Sequence, residues 1–75
     1  MVSKIKKYSN EWWYLGNQLK KAREEAGFSQ YEVARIIYRT QSYVSKAEKG
    51  QVRLDLVQLK EFSDLYGKDI GYFLK

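Results

Sequence analysis

The sequence predicts a compact all-α domain built from five helices. Apolar residues recur at spacings of three and four, which is the periodicity of one helix face, and strand-like alternation is weak. Glycines follow three of these apolar runs, at positions where a left-handed residue ends a helix. Two capping boxes mark helix starts. With 75 residues, the chain is long enough for one small domain.

The first helix is predicted over residues 11–26, with Ser9 or Asn10 as its N-cap. Gly27 follows its last apolar residue. Its apolar stripe consists of Trp12, Leu15, Leu19, Ala22 and Ala26. Residues 1–9 carry three lysines and are predicted to form a basic, flexible N-terminal arm, so that the folded domain spans residues 10–75.

Helices 2 and 3 are predicted over about 30–37 and 41–49. Ser29 and Glu32 form a capping box, and Thr40 is the expected N-cap of helix 3. Because only about three residues separate the two helices, the second must cross the first steeply. Residues 29–50 are therefore predicted to be a helix-turn-helix unit.

Asp55 and Gln58 form a second capping box, which opens helix 4. The apolar stripe of this helix contains Leu59 and Phe62, and Gly67 ends it. The remaining stretch, 69–74, is long enough for one short fifth helix.

Composition excludes most catalytic functions. The chain has no Cys and no His, so it lacks thiolate chemistry, the commonest general base and the commonest metal ligand. We therefore expect no enzyme, no cofactor and no metal site. A basic start without a following apolar region, and the lack of any long apolar run, predict a cytoplasmic protein without a membrane partner.

Positive charge is concentrated in the helix-turn-helix. The net charge is +5, and residues 35–53 hold five cations against a single acid, Glu48. One face of helix 3 is polar and basic with no acid among its residues. That face consists of Gln41, Ser42, Ser45, Lys46 and Lys49. Gln can pair with adenine and Lys can donate to guanine acceptors, so this face suits the major groove of DNA.

These residues resemble a known family. Ser29-Gln30-x-x-Val33-Ala34, followed by Gln41-Ser42-Tyr43-Val44-Ser45-Lys46-x-Glu48-x-Gly50, resembles the Xre-like, phage-repressor/Cro type of helix-turn-helix. The preceding Leu15-Gly16-x-x-Leu19-x-x-x-Arg23-x-x-x-Gly27 is similar to the family's first helix. The resemblance extends from Leu15 to Leu74 and implies the lambda-repressor-like fold.

The resemblance implies a role for each matched residue. Bases would be read by Gln41, Ser42, Ser45 and Lys46. Phosphates would be contacted by Gln30, Arg39, Thr40, Tyr43, Lys49 and Arg53. Arg23 and Glu48 would form a structural ion pair between helices 1 and 3.

The function implied is sequence-specific regulation of transcription, as a repressor. The protein would act as a homodimer that places helix 3 in the major groove of double-stranded DNA. It would be a protein of a prokaryote or a phage, located in the cytoplasm and associated with the nucleoid. The alternative is a protein-bridging module of the same fold, either a coactivator or a toxin-neutralising antitoxin. Acidic or apolar residues in place of Gln41 and Lys46 would favour that alternative.

The turn of the motif departs from the family pattern. Tyr38 stands where relatives usually have Gly, and a left-handed Tyr would cost on the order of 1–2 kcal/mol. Either the turn differs locally, or Tyr38 offsets the strain by packing.

Overall fold

A computed structural model of the chain describes the backbone of residues 2–74 and the side chains of residues 11–74. It contains four α-helices and one 3-10 helix, with no strand in the described range. The helices are α1 (Val2–Ala26), α2 (Gln30–Ile36), α3 (Gln41–Glu48) and α4 (Leu56–Tyr66), followed by a 3-10 helix (Ile70–Phe73). The predicted all-α helix-turn-helix fold is confirmed. The fifth helix, however, is a single 3-10 turn, a form that proteins use in short pieces.

The long first helix starts earlier than the sequence predicted. α1 begins at Val2, so Ser9 and Asn10 lie inside it and neither is its N-cap. No Pro or Gly interrupts residues 1–15, and Lys is a good helix former, so nothing in the basic segment stops the helix. The division of the chain into residues 1–9 and 10–75 stays a prediction.

Both predicted capping boxes are present. The Glu32 N–H donates to the Ser29 hydroxyl at 3.1 Å, and the Ser29 N–H donates to the Glu32 carboxylate at 2.8 Å. Asp55 and Gln58 make the equivalent pair of bonds at the start of α4, at 2.8 and 2.9 Å. These reciprocal bonds satisfy backbone donors that a helix N-terminus would otherwise leave unpaired.

One apolar core joins all the elements. α2 and α3 pack against each other, and Ala34 of α2 is only 3% exposed. Phe73 of the 3-10 helix is 1% exposed, so its buried ring anchors this helix to the core. The buried apolar residues are Leu15, Leu19, Ala22, Val33, Ala34, Val44, Ala47, Leu59, Phe62, Tyr66 and Phe73.

α1 and the end of α3 meet backbone to backbone. A Cβ added at Gly16 would lie 2.5 Å from the carbonyl oxygen of Glu48 and 2.9 Å from its carbonyl carbon. Gly50, which has a φ of +72°, lies against the Trp12 carbonyl in the same region. Since no side chain separates these backbones, α1 fixes the position of the last turn of α3.

The turn between α2 and α3 is strained but hydrogen-bonded. Tyr38 has a φ of +59°, and its side chain is 93% exposed. The Tyr38 N–H donates to the Arg35 carbonyl at 3.3 Å, and the Arg39 N–H donates to the Ala34 carbonyl at 2.9 Å. This is the bond pattern that a left-handed residue makes at a helix C-terminus. The turn therefore keeps the geometry usual with Gly, and backbone hydrogen bonds rather than side-chain packing offset the strain.

Gly16→Ala should destabilise the domain by about 1–3 kcal/mol, because the added methyl group forces the two backbones apart. Unfolding in urea measures this loss. Gly71→Ala is the matched control, since a Cβ at Gly71 meets nothing within 4 Å. Equal unfolding midpoints for the two variants would show that the Gly16 contact does not constrain the fold.

Tyr38→Gly should stabilise the domain by about 0.5–1 kcal/mol. Relief of the left-handed strain exceeds the added backbone entropy of the unfolded chain. Tyr31→Gly serves as the control, because Tyr31 is also exposed but lies within α2, where Gly costs roughly 0.5–1 kcal/mol. Loss of stability in both variants would contradict the strain at Tyr38.

Candidate nucleic-acid interface

The outer face of α3, defined as Gln41, Ser42, Ser45, Lys46 and the C-cap residue Lys49, points away from the core. Four of these side chains are exposed and Ser45 is half-buried. The opposite side of the helix is buried through Val44 and Ala47. Thr40 caps the helix by accepting the Tyr43 N–H at 3.0 Å. The structure thus brings all four residues predicted to read bases onto one accessible surface.

Arg23 and Glu48 form the predicted ion pair between α1 and α3. The Arg23 Nε donates to Glu48 Oε2 at 2.7 Å, and Nη2 donates to Oε1 at 3.1 Å. The side chains are only 11% and 5% exposed. Nη1 donates to the Phe28 carbonyl at 2.9 Å, so the guanidinium is well satisfied. Hydrogen bonds to Glu48 raise the pKa of Arg23.

Gln30 joins this ion pair, a contact that the sequence did not reveal. Its Nε2 donates to Glu48 Oε1 at 3.0 Å, and its side chain is half-buried. Gln30 and Glu48 are 18 residues apart, and no local spacing rule pairs them. The amide of the predicted phosphate contact is therefore oriented by the buried carboxylate, with its second N–H and its oxygen left for a ligand.

The remaining residues predicted to contact phosphates differ in where they lie. Thr40, Lys49 and Arg53 are exposed, as a phosphate contact requires. Arg39 is also exposed, but its guanidinium lies over the Tyr43 ring, 5.2 Å from the centroid, and 3.9 Å from Glu61. Arg39 is thus drawn toward α4.

Tyr43 lies where a phosphate contact is unfavourable. Its ring stacks on Phe62 at 6.2 Å, and its hydroxyl is buried without a hydrogen-bond partner in the described part of the chain. Burial raises the pKa of this hydroxyl. The Tyr43 N–H is already used by the Thr40 cap. Tyr43 packs α3 against α4, so this geometry is unfavourable for a phosphate contact through its hydroxyl, and the contact stays a prediction.

Burial of Glu48 leaves the accessible surface of this region positive. Within residues 33–54 Glu48 is the only acid, whereas all five cations of the stretch are exposed. Those cations are Arg35, Arg39, Lys46, Lys49 and Arg53. The arrangement favours an anionic ligand that covers a broad surface.

Neither a metal cluster nor a membrane span is found in the described residues. No three His, Cys, Asp or Glu side chains among them converge on one point. None of their helices combines the length and apolar character needed to cross a bilayer.

Comparison with known proteins shows the family and the fold of the chain. A family model described as helix-turn-helix matches residues 19–73. The crystal structure of the restriction-modification controller protein C.AhdI from Aeromonas hydrophila superposes with a TM-score of 0.81. That match covers 89% of this chain and 97% of the other at 22% identity, so it shows a shared fold. No curated protein sequence shows significant similarity to the chain.

Arg23→Met should destabilise the domain by about 3–5 kcal/mol, because it leaves Glu48 buried without its cation. Adding Glu48→Leu should recover much of the loss, since the double variant buries no unpaired charge. Urea unfolding of the wild type, both single variants and the double variant measures the coupling. Additive effects of the two substitutions would contradict an interaction between these side chains.

Proposed function

This chain belongs to the Xre-like helix-turn-helix family of DNA-binding transcription regulators, and we propose that it binds duplex DNA sequence-specifically with α3 in the major groove. We propose further that it acts as a homodimer and as a repressor. The observation that carries the proposal is the outer face of α3, which is accessible, polar and basic. Its neighbouring acid, Glu48, is buried and paired.

The chemistry of this face fits base recognition. The Gln41 amide can donate and accept at once, which matches the edge of adenine, and Lys46 can donate to the acceptors of guanine. Ser42 and Ser45 add hydroxyls that serve either role. The same face has no apolar side chain for a protein partner to bury. DNA binding is therefore favoured over the protein-bridging alternative.

The residues around this face fit the role of holding the DNA backbone. Lys49 and Arg53 supply exposed charge, while Gln30 and Thr40 supply neutral donors. Arg39 adds charge beside Tyr43. Contacts of this kind fix the orientation of a protein on the duplex without reading its sequence. The Lys and Arg contacts also release counterions from the DNA, so affinity should fall steeply as salt rises.

A symmetric dimer would extend the short stretch of DNA that one small domain can contact. One α3 reaches only a few base pairs, and a second copy would read a matching half-site about 34 Å away. Leu74, which follows the 3-10 helix and is 55% exposed, is a candidate part of the dimer surface. Bound at a promoter, such a dimer would block transcription by occupancy alone.

Selection of bound sequences from random duplex DNA tests the function. We expect a discrete enriched motif with inverted symmetry. We also expect the logarithm of the association constant to decrease linearly with the logarithm of the salt concentration. Sedimentation of the protein with the selected duplex gives the stoichiometry, which should be two chains per site. No enrichment together with salt-independent binding would rule the proposal out.

Gln41→Ala should weaken binding to the selected site by about 1–3 kcal/mol and relax the preference at one base pair. The slope of affinity against salt should stay unchanged, because no charge is lost. Lys49→Ala is the contrasting variant: it should weaken binding to all sequences similarly and lower the slope by about one. Titrations across single-base variants of the site measure both effects. If Gln41→Ala keeps every base preference, then Gln41 does not read the DNA.

A further inference from the structure

A polar groove lies between α1 and the helix-turn-helix. Trp13, Asn17 and Lys20 of α1 line one side, and Gln30, Ser45 and Lys49 line the other. Its volume is about 370 Å³. The three α1 residues are spaced by four and three, so they share one face of that helix. None of them belongs to the motif that identified the DNA-binding unit.

The groove offers donors and positive charge that the fold does not use. The side-chain ammonium groups of Lys20 and Lys49 have neither a hydrogen bond nor an ion pair with any described residue, and the side-chain amide of Asn17 has no hydrogen bond with one. Glu48 also lines the groove, but its oxygens already accept from two Arg23 nitrogens and from Gln30. Because Arg23 compensates the carboxylate, the two lysines give the groove a net positive character.

We propose that this groove seats the phosphodiester backbone that flanks the major groove, so that α1 binds the duplex alongside α3. The inference rests on the proposed DNA-binding function and extends it to a second helix. Continuity supports it: Gln30 and Lys49 belong both to the groove and to the proposed phosphate contacts around the outer face of α3. A backbone strand that reaches these two residues passes directly beside Lys20 and Asn17.

Trp13 suits the wall of such a groove. Its side chain is 64% exposed, which is unusual for the largest apolar residue in a small domain. The indole N–H is a donor without an acceptor function, so it can pair with a phosphate oxygen. The ring would lose its contact with water when the backbone strand is seated.

Lys20→Ala tests the groove, with Lys21→Ala as the matched control. Each variant removes one positive charge from an exposed position on α1, but Lys21 does not line the groove. Lys20→Ala should weaken binding to the selected duplex roughly threefold to tenfold at 0.1 M salt and lower the salt slope by about one. Lys21→Ala should change affinity less than twofold and keep the slope. Both should unfold at the wild-type urea concentration.

Tryptophan fluorescence gives a second readout. Adding the selected duplex to the wild-type protein should change the emission, and the change should disappear in Trp13→Phe, which keeps Trp12. An unchanged response in Trp13→Phe would contradict the placement of DNA beside Trp13.

The two proposals fail in distinguishable ways. If the wild-type protein shows no salt-dependent binding to duplex DNA, both are wrong. If the wild type binds its selected site and Lys20→Ala behaves like Lys21→Ala, the DNA-binding function stands and the α1 groove does not hold the backbone.

Discussion

The position of α3 within the helix-turn-helix depends on the contact between α1 and the last turn of α3. An eight-residue helix such as α3 is unstable alone in water, so its position must come from its neighbours. Gly16 lets the backbone of α1 pack against the carbonyl group of Glu48. The Arg23–Glu48 ion pair joins the same two helices two turns further along α1. Backbone contact sets the distance between the helices, while the bidentate ion pair fixes their rotation, because the planar guanidinium donates its two hydrogen bonds to the carboxylate in one orientation. Together, the backbone contact and the ion pair set the direction in which the outer face of α3 points.

The same ion pair shapes the electrostatics of the surface. Burying a carboxylate and a guanidinium costs desolvation, and only good geometry with additional hydrogen bonds compensates that cost. Here the carboxylate accepts from both Arg23 and Gln30, and the guanidinium also reaches the Phe28 carbonyl. The consequence extends beyond stability. An exposed Glu48 would place a negative charge beside Lys46 and Lys49, at the surface proposed to meet phosphates. Burial and pairing of Glu48 reduce the repulsion between its carboxylate and a phosphate, and the side chain still joins α1 to α3.

Features of this chain that depend on local residue spacing could be predicted from the sequence, whereas most of its long-range contacts could not. Ser29 with Glu32 and Asp55 with Gln58 mark helix starts because the bonds they form span only three residues. The start of α1 was missed because cap preference is weak where helix-forming residues continue on both sides, as around Ser9. The family resemblance predicted the Arg23–Glu48 pair and the residues on the outer face of α3. The bond from Gln30 to Glu48, the burial of the Tyr43 hydroxyl and the groove beside Lys20 depend on how three helices pack, which residue spacing does not encode.

Gln30 links the fold of this domain to the phosphate contact proposed for it. A glutamine on a mobile surface samples many rotamers, and ordering it at a phosphate would cost conformational entropy on binding. Its bond to Glu48 orders the side chain before any ligand arrives, and Arg23 in turn holds Glu48. Three side chains therefore connect α1, α2 and α3, and they lead from the core to the groove, where the ammonium groups of Lys20 and Lys49 pair with no residue that the structure describes. Substitutions that loosen α1 from α3 should consequently weaken DNA binding even when they remove no residue that touches DNA, because they release the side chains that the ion pair has already positioned.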